Sequence, residues 1–295
     1  MKKFVILIPV YNDWESVTQL LENIDLQIKE WDAEVSVLIV NDSSTKKRLK
    51  NFFNYKKIKS IKVINMKKNR GHARCNAAGL KYLTENDDYD YVVLMDGDGE
   101  DRPEELPSLL RKSQENPTKV ITADRIKRSE GPFFKILYEF HKILTYFFTG
   151  KLIKFGNYSC LPKEQVVRLT RESCLWSSFS GSLTKIVKDR ASVPSIRGAR
   201  YFGPSQMNFF SLLIHSFSIM AVFKKTVIIR SILYSIVYLF FIYGNFSFAT
   251  LIPFFFLSVF LFLILKTSSR ENIEELNNSL KNIESIDLLN ISNNG

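Results

Sequence analysis

The chain has 295 residues, of which 45% are hydrophobic and 24% are charged. This apolar content is ample for a folded core and excludes a mostly disordered protein. With 12 Gly and 3 Cys, the sequence is neither collagen-like nor a disulfide scaffold. The cysteines have no metal-binding spacing, so we expect reduced cytosolic thiols. The formal net charge is +11, and the excess is concentrated in residues 124–200, which carry 15 Lys and Arg against six Asp and Glu.

The first 125 residues alternate between predicted strands and predicted helices. We predict strands at 4–10, 35–40, 61–66, 91–95 and 119–123, and helices at 14–30, 71–83 and 104–115. This rhythm predicts an α/β fold with a doubly wound, mostly parallel sheet. Such a sheet binds its ligand at the carboxyl ends of the strands, where the strand order reverses. The first apolar run is only seven residues long and has no cleavage site, so we expect a cytosolic domain rather than a signal peptide.

Acidic side chains follow the predicted strands at this edge. Asp42 ends the second strand, and Asp96 and Asp98 follow the fourth. The glycine patterns of a Rossmann dinucleotide-binding enzyme and of a P-loop NTPase are both missing from the sequence, which disfavours those two classes. Carboxylates without a phosphate-binding loop favour a divalent cation that bridges them to a diphosphate. Asp98 and Glu100 alternate beyond the strand and can face the same ion, and oxygen ligands predict Mg²⁺ or Mn²⁺.

Four motifs resemble the inverting family-2 glycosyltransferases of the GT-A fold. They occur in the family's order, as Ile8-Pro9-Val10-Tyr11-Asn12, Val40-Asn41-Asp42-Ser43-Ser44, Asn69-Arg70-Gly71 to Asn76, and Asp96-Gly97-Asp98. The resemblance implies a nucleotide-sugar donor. It further implies a donor-binding set formed by Pro9, Tyr11, Asn12, Asp13, Asp42, Asp96 and Gly97. The implied metal ligands are Asp96, Asp98 and Glu100.

A narrower resemblance is to the polyprenyl-phosphate glycosyltransferases, the dolichol-phosphate-mannose-synthase-like branch. It rests on Asp98-Gly99-Glu100 followed by Arg102-Pro103-Glu104, on Ala123-Asp124-Arg125 with Arg128, and on Arg197-x-x-Arg200-x-x-Gly203-x-Ser205. This resemblance implies that Asp98 is catalytic and that Arg125, Arg128 and Arg200 neutralise the acceptor phosphate. Arginine suits that role because its planar group pairs with phosphate through two hydrogen bonds.

The sequence departs from this branch mainly on the acceptor side. Lys154 stands where the family has Asp, Ser159 where it has Arg, and Gln206 where it has Lys, while Glu100 replaces Gln. A lipid phosphate is already anionic and can attack without a strong general base. We therefore predict transfer of a single sugar to a polyprenyl phosphate. The alternatives are a hydroxyl acceptor on a glycan or lipid-linked oligosaccharide in cell-envelope synthesis, which needs a base, and a non-catalytic membrane scaffold.

An uncharged apolar stretch predicts attachment to a membrane. Residues 231–265 contain no Asp, Glu, Lys, Arg or His, and as one helix they would be about 52 Å long, against a bilayer core of about 30 Å. Gly244–Ser247 interrupts the stretch, so we predict two spans at 226–243 and 248–265. Basic residues flank both outer ends and none lies in the loop, which predicts that the catalytic domain and both termini are cytoplasmic.

The basic segment lies next to these spans. Residues 133–155 combine eight aromatic residues with four lysines, which predicts an interfacial amphipathic helix, and 207–223 is a second candidate. We therefore expect a bilayer partner and no nucleic acid. The predicted organisation is a donor-binding core at 1–125, an acceptor and membrane-interface part at 126–225, two transmembrane helices at 226–265 and a polar cytoplasmic tail at 266–295. Helical spacing in the tail predicts a surface helix or a contact within a homo-oligomer.

Overall fold

The computed structural model describes residues 1–48, 55–127, 132–204 and 209–289, with backbone alone for 127, 132–138 and 209–211. Within these ranges the strands are β1 (Lys2–Val10), β2 (Ala33–Asn41), β3 (Ile58–Met66), β4 (Tyr91–Leu94), β5 (Val120–Lys127), β6 (Ser159–Pro162), β7 (Arg190–Ile196) and β8 (Ile283–Leu289). The helices are α1 (Trp14–Gln27), α2 (His72–Asn86), α3 (Leu106–Glu115), α4 (Pro132–Thr149), α5 (Lys163–Leu169), α6 (Phe179–Ile186), α7 (Phe209–Ala221), α8 (Lys224–Ile242), α9 (Phe248–Ser268) and α10 (Ile273–Asn277).

The described strands form one sheet in the order β7-β5-β6-β4-β1-β2-β3-β8. Strands β1 to β4 pair in parallel, as do β5 and β7, whereas β6 and β8 run antiparallel to their neighbours. The chain passes from β1 through β2 to β3 and then returns to place β4 on the other side of β1. This reversal opens a crevice between the carboxyl ends of β1 and β4. The predicted α/β fold with a mostly parallel sheet is confirmed.

Both faces of the sheet are covered, because alternate residues of each strand point to opposite sides. In β1, Leu7 packs in one core cluster with Leu80 of α2. Its neighbours Ile6 and Ile8 pack in the other cluster, which contains the apolar residues of α1 and α3. All three strand side chains are fully buried. A near-continuous apolar run is therefore the signature of this strand, as expected for a parallel sheet between two helical layers.

Helices α8 and α9 form the predicted apolar hairpin. Both are long and apolar enough to cross a membrane, and their bounds agree with the predicted spans to within three residues. Gly244 makes the turn with a φ of +83°, and Ser247 caps α9 through a capping box with Thr250. Large side chains on the hairpin are exposed, with Phe240 at 80% and Phe255 at 65%.

Helix α4 docks its C-terminal end on this hairpin. The Phe148 ring lies 4.4 Å from the Phe260 ring of α9 between centroids. The Arg230 guanidinium of α8 donates to the Phe147 carbonyl at 2.8 Å, which satisfies a carbonyl at the end of α4. The other side of α4 exposes apolar residues, with Phe140 at 62% and Ile143 at 66%. The predicted helix within 133–155 is present, and it ends at Thr149.

The segment after the hairpin returns to the eight-stranded sheet, which differs from the predicted surface helix. In the part of this segment that the structure describes, up to residue 289, the α-helix is limited to Ile273–Asn277, and the chain then forms β8, which pairs with β3 at the sheet edge. Leu276 is fully buried. The spacing of apolar residues in this segment could not predict strand β8. The strand forms because the unpaired backbone N–H and C=O groups of β3 bind it, and this pairing is not visible in the local sequence. Both ends of the hairpin therefore join the same domain.

Candidate active site

The crevice between β1 and β4 brings together the acidic residues that follow these strands. Asp13 begins α1, and Asp96 and Asp98 lie in the loop after β4. Gly97 lets this loop pack closely on β1, since a Cβ there would be 3.1 Å from the Pro9 carbonyl oxygen and 3.0 Å from a Val17 methyl. The structure thus places the β4 loop beside the residues that follow β1.

Two arginines hold the β4 loop from the other side. Arg200 donates to Asp98 Oδ2 at 2.7 Å and to Asp13 Oδ2 at 2.5 Å, with side-chain exposures of 15% for Arg200 and 17% for Asp98. Arg197 pairs with Glu100. The backbone N–H of Tyr201 also donates to the Asp98 carbonyl at 3.0 Å. Residues 197–201 therefore form a strap over the acidic loop, and Arg200 lies on the β1 side of the crevice.

Asp96 is held by two residues that the sequence analysis did not single out. His72, the first residue of α2, lies 3.2 Å from Asp96 Oδ1, and the Asn157 amide donates to the same oxygen at 3.0 Å. Burial by itself raises the pKa of Asp96, but the charge and hydrogen bonds of His72 and Asn157 outweigh it and the pKa is lowered well below its usual range. Asp96 therefore stays ionised in the crevice.

Asp101 is a further buried carboxyl that was missed. It is 3% exposed, and its Oδ2 accepts the backbone N–H of Asp96 at 3.0 Å. Burial, together with the charge of Asp96, raises the pKa of Asp101 to about 7. Asp101 is recognised as a site residue by its hydrogen bond to the Asp96 backbone. The sequence has no feature that distinguishes Asp101 from the neighbouring acidic residues. Asp101 therefore stabilises the loop after β4 through the backbone of Asp96.

Arg125 contacts a different carboxylate of the acidic loop from those that Arg200 contacts. Its guanidinium is 3.6 Å from Asp101 and passes over Gly156, where a Cβ would be 2.7 Å from Nη2. Its backbone N–H donates to the Lys154 carbonyl at 2.9 Å. Arg125 and Arg200, two of the three arginines predicted to neutralise the acceptor phosphate, thus contact different carboxylates. The third, Arg128, lies outside the described residues.

Two residues of the predicted donor-binding set, Asp42 and Asn12, also form hydrogen bonds that stabilise the neighbouring loops. Asp42 is 4% exposed, and its two oxygens accept the backbone N–H groups of Arg70 and Gly71, each at 2.8 Å. The side-chain Oδ1 of Asn12 accepts the Thr45 backbone N–H at 2.8 Å, which stabilises the φ of +57° at Asn12. Tyr11 is 51% exposed, so its ring is open to a ligand.

The three histidines of the chain lie on three different helices. His72 begins α2 and contacts Asp96. His141 lies on α4 and His215 on α7, the helices that pack on the apolar hairpin. Single histidines have no informative spacing, so the sequence did not mark His72 as a contact of Asp96.

Asp96 and Asp98 can hold a hard divalent cation if phosphate oxygens of a substrate supply further ligands. Among the described residues, no three His, Cys, Asp or Glu side chains converge as a metal site. Asp96 and Asp98 nevertheless supply two carboxylates, and Mg²⁺ in phosphate sites commonly takes one or two carboxylates plus phosphate oxygens. Glu100, which was also predicted as a ligand, is turned toward Arg197.

The sheet order and the carboxylate edge define a glycosyltransferase-type α/β domain, and comparison with known proteins agrees. Residues 5–176, more than half of the chain, match the family described as Glycosyl transferase family 2. The chain belongs to this family.

Solved structures show the same fold at low sequence identity. One is glucosyl-3-phosphoglycerate synthase from Mycobacterium tuberculosis in complex with Mn²⁺, UDP-glucose and phosphoglyceric acid, with a TM-score of 0.54, 14% identity, and coverage of 77% of this chain and 80% of that chain. Another is mannosyl-3-phosphoglycerate synthase from Rubrobacter xylanophilus, with a TM-score of 0.51, 13% identity, and coverage of 75% and 72%. The GT-A fold predicted from the motifs is confirmed.

Proposed function

We propose that the chain transfers one sugar from a UDP- or GDP-sugar to a polyprenyl phosphate at the cytoplasmic face of a membrane. The observation that carries this proposal is the path from the crevice to the apolar hairpin. Helices α4 and α7 form a core cluster with α8 and α9. The chain that follows α4 reaches the crevice, where the Lys154 carbonyl accepts the Arg125 backbone N–H at 2.9 Å and the Asn157 amide donates to Asp96 at 3.0 Å. An acceptor with an ionic head and a long apolar tail fits this arrangement.

The donor side of the site lies over β1 and β2. Pro9, Tyr11 and Asp42 border the base and ribose, while Asp13 and Gly97 lie near the diphosphate. A Mg²⁺ or Mn²⁺ ion held by Asp96 and Asp98 would offset the charge of the leaving diphosphate. The Mn²⁺ and UDP-glucose in the mycobacterial structure support this choice of ligands.

The acceptor side lies toward Arg125. A phosphate oxygen of the acceptor attacks the anomeric carbon, the bond from that carbon to the diphosphate oxygen breaks, and the nucleoside diphosphate leaves. Because the attacking oxygen is already anionic, no side chain needs to remove a proton. Arg125 is positioned to neutralise the acceptor phosphate, and Arg128 remains a candidate for the same role. We place Arg200 on the donor side, because it pairs with Asp13 and Asp98.

The membrane arrangement follows from the hairpin and from β8. Since β8 pairs with β3, the two ends of the hairpin lie on the same side of any bilayer that it spans. The basic residues at those ends favour the cytoplasmic side. The exposed Phe140 and Ile143 of α4 are then suited to the headgroup layer.

The experiment that tests this proposal compares acceptors. Membranes containing the protein are incubated with labelled UDP- and GDP-sugars, with and without added undecaprenyl phosphate. We expect label in an organic-extractable lipid only when the lipid phosphate is present, and none with the Asp98→Asn variant. Label that enters only a hydroxyl acceptor would refute the lipid-phosphate assignment.

A further inference from the structure

We propose that the segment after the hairpin, residues 272–282, forms a wall of the subsite for the nucleobase of the donor and helps to select the nucleotide. This inference rests on the proposed function. It assigns a role in recognition to a part of the chain that lies beyond the matched family region, residues 5–176.

The segment lines a partly open cavity of about 240 Å³ that reaches Asp42, just after β2. The opposite walls come from α2, from the loop that precedes it and from Trp176. The residues that the segment itself contributes are Asn272, Glu274, Glu275, Asn278, Ser279 and Asn282. The volume suits one ring system rather than a whole nucleotide sugar, because pockets for drug-sized ligands are about 300–1,000 Å³.

Two residues of the lining each carry a buried polar atom that has no hydrogen-bond partner among the described residues. The two atoms are the Ser279 hydroxyl oxygen, on a residue 4% exposed, and Nε of Arg74. A buried polar group left without a hydrogen bond destabilises the folded protein. Both groups can donate, so a ligand with acceptor atoms at its edge would satisfy them.

The charges in the lining favour a neutral ligand over an anion. Glu275 lies between Arg70 and Arg74, at 3.5 Å and 3.6 Å, and so offsets much of their positive charge. Asp42 and Glu274 add negative charge. Trp176 supplies an aromatic wall, and its indole N–H donates to Glu275 at 2.7 Å. A planar, neutral ring with both donors and acceptors, which is a nucleobase, matches this lining.

The wall is fixed to the donor side of the sheet. Strand β8 pairs with β3 over Ile61–Met66, and the Lys67 backbone N–H donates to the Asn282 carbonyl at 2.7 Å. Leu276 anchors α10 in the core that also contains Val40 of β2, two residues before Asp42. The segment is therefore held in place before a ligand binds, which lowers the entropic cost of recognition.

Two adjacent asparagines provide a matched test. Both side chains are exposed, but Asn278 lines the cavity and Asn277 does not. The full-length Asn278→Leu and Asn277→Leu proteins, in detergent, are titrated calorimetrically with UDP, GDP and inorganic pyrophosphate. We expect Asn278→Leu to weaken binding of the preferred nucleotide about tenfold or more and to leave pyrophosphate binding unchanged. We expect Asn277→Leu to change neither affinity.

Equal nucleotide affinities for the two variants would overturn the inference while the proposed function stands. Equal weakening of pyrophosphate would also overturn it, because the cavity would then serve the diphosphate. If the unchanged protein binds neither nucleotide, the proposed function fails as well. Should Asn278→Leu lower the unfolding temperature, Ser279→Ala decides the question, since it only removes a hydroxyl. The inference predicts that Ser279→Ala changes the ratio of UDP to GDP affinity about threefold or more. An unchanged ratio would refute the inference.

Discussion

Arg200 donates a hydrogen bond to Asp98 at 2.7 Å, and through this contact the strap at 197–201 is joined to the loop after β4. The same guanidinium contacts Asp13, at the start of α1. One side chain therefore links the carboxyl ends of β1 and β4 at the point where the strand order reverses. Pairing with a planar, two-pronged cation fixes the orientation of both carboxylates.

Replacing Arg200 should show this double role. Arg200→Ala leaves two partly buried carboxylates without their cation, so we expect a loss of about 1–3 kcal/mol of unfolding free energy and weaker donor binding. Arg200→Lys should recover only part, because lysine cannot hold two carboxylates with one planar group. A double-mutant cycle with Asp98→Asn, followed by thermal unfolding, should give less than additive losses. Strictly additive losses would mean that the pair does not interact.

Gly99 should be intolerant of a side chain because of Tyr201. It has a φ of +87°, and a Cβ there would lie 2.6 Å from the Tyr201 ring. Gly71 has a similar φ of +91° with nothing within 4 Å, so it isolates the backbone strain. We expect Gly99→Ala to lower stability by about 1–3 kcal/mol more than Gly71→Ala and to weaken donor binding. Chemical denaturation of both variants tests this, and equal losses would contradict the packing argument.

The metal proposal gives a separate prediction. Asp98→Asn keeps the shape of the side chain but removes the negative charge, so we expect transfer to fall about 100-fold or more while the protein remains folded in the membrane. EDTA should abolish transfer, and added Mn²⁺ or Mg²⁺ should restore it. Full activity in the presence of chelator would remove the metal from the mechanism.

Asp101 predicts a pH dependence of stability. Its pKa is raised to about 7 in the folded protein, whereas the ordinary carboxyl value is 3.8. Between these values the folded state keeps a proton that the unfolded state has released, so stability falls as the pH rises from about 4 to about 7 and then levels off. In metal-free buffer, Asp101→Asn should lose less unfolding temperature between pH 5 and pH 8 than the unchanged protein. Parallel curves for the two proteins would refute the assignment.

The segment after the hairpin should stabilise the catalytic sheet. Leu276 is fully buried and Ile273, on the same short helix, is 37% exposed. Leu276→Ala should therefore cost about 2–5 kcal/mol, and Ile273→Ala much less. Thermal unfolding in detergent distinguishes them. If truncation after Ser269 left the unfolding temperature unchanged, the contribution of β8 to the sheet would be disproved.

Much of the fold followed from local patterns. The apolar run at Phe4–Val10 predicted a buried strand, because nearly all of its side chains lie in the core. The uncharged stretch after Arg230 predicted the apolar hairpin, because its length and composition suit two membrane spans. The position of β8 did not follow, since strand pairing depends on a partner more than 200 residues away. His72 and Asn157 were missed for the same reason, because each contacts Asp96 only after the sheet has formed.

The most direct test of the central proposal is the identity of the lipid product. Purified protein in lipid nanodiscs receives a labelled nucleotide sugar and undecaprenyl phosphate, and the products are analysed by mass spectrometry and phosphorus NMR. We predict one nucleoside diphosphate released for each sugar joined to the lipid, with the phosphate converted from a monoester to a diester. A lipid phosphate that remains a monoester while sugar appears on a hydroxyl group would contradict the account.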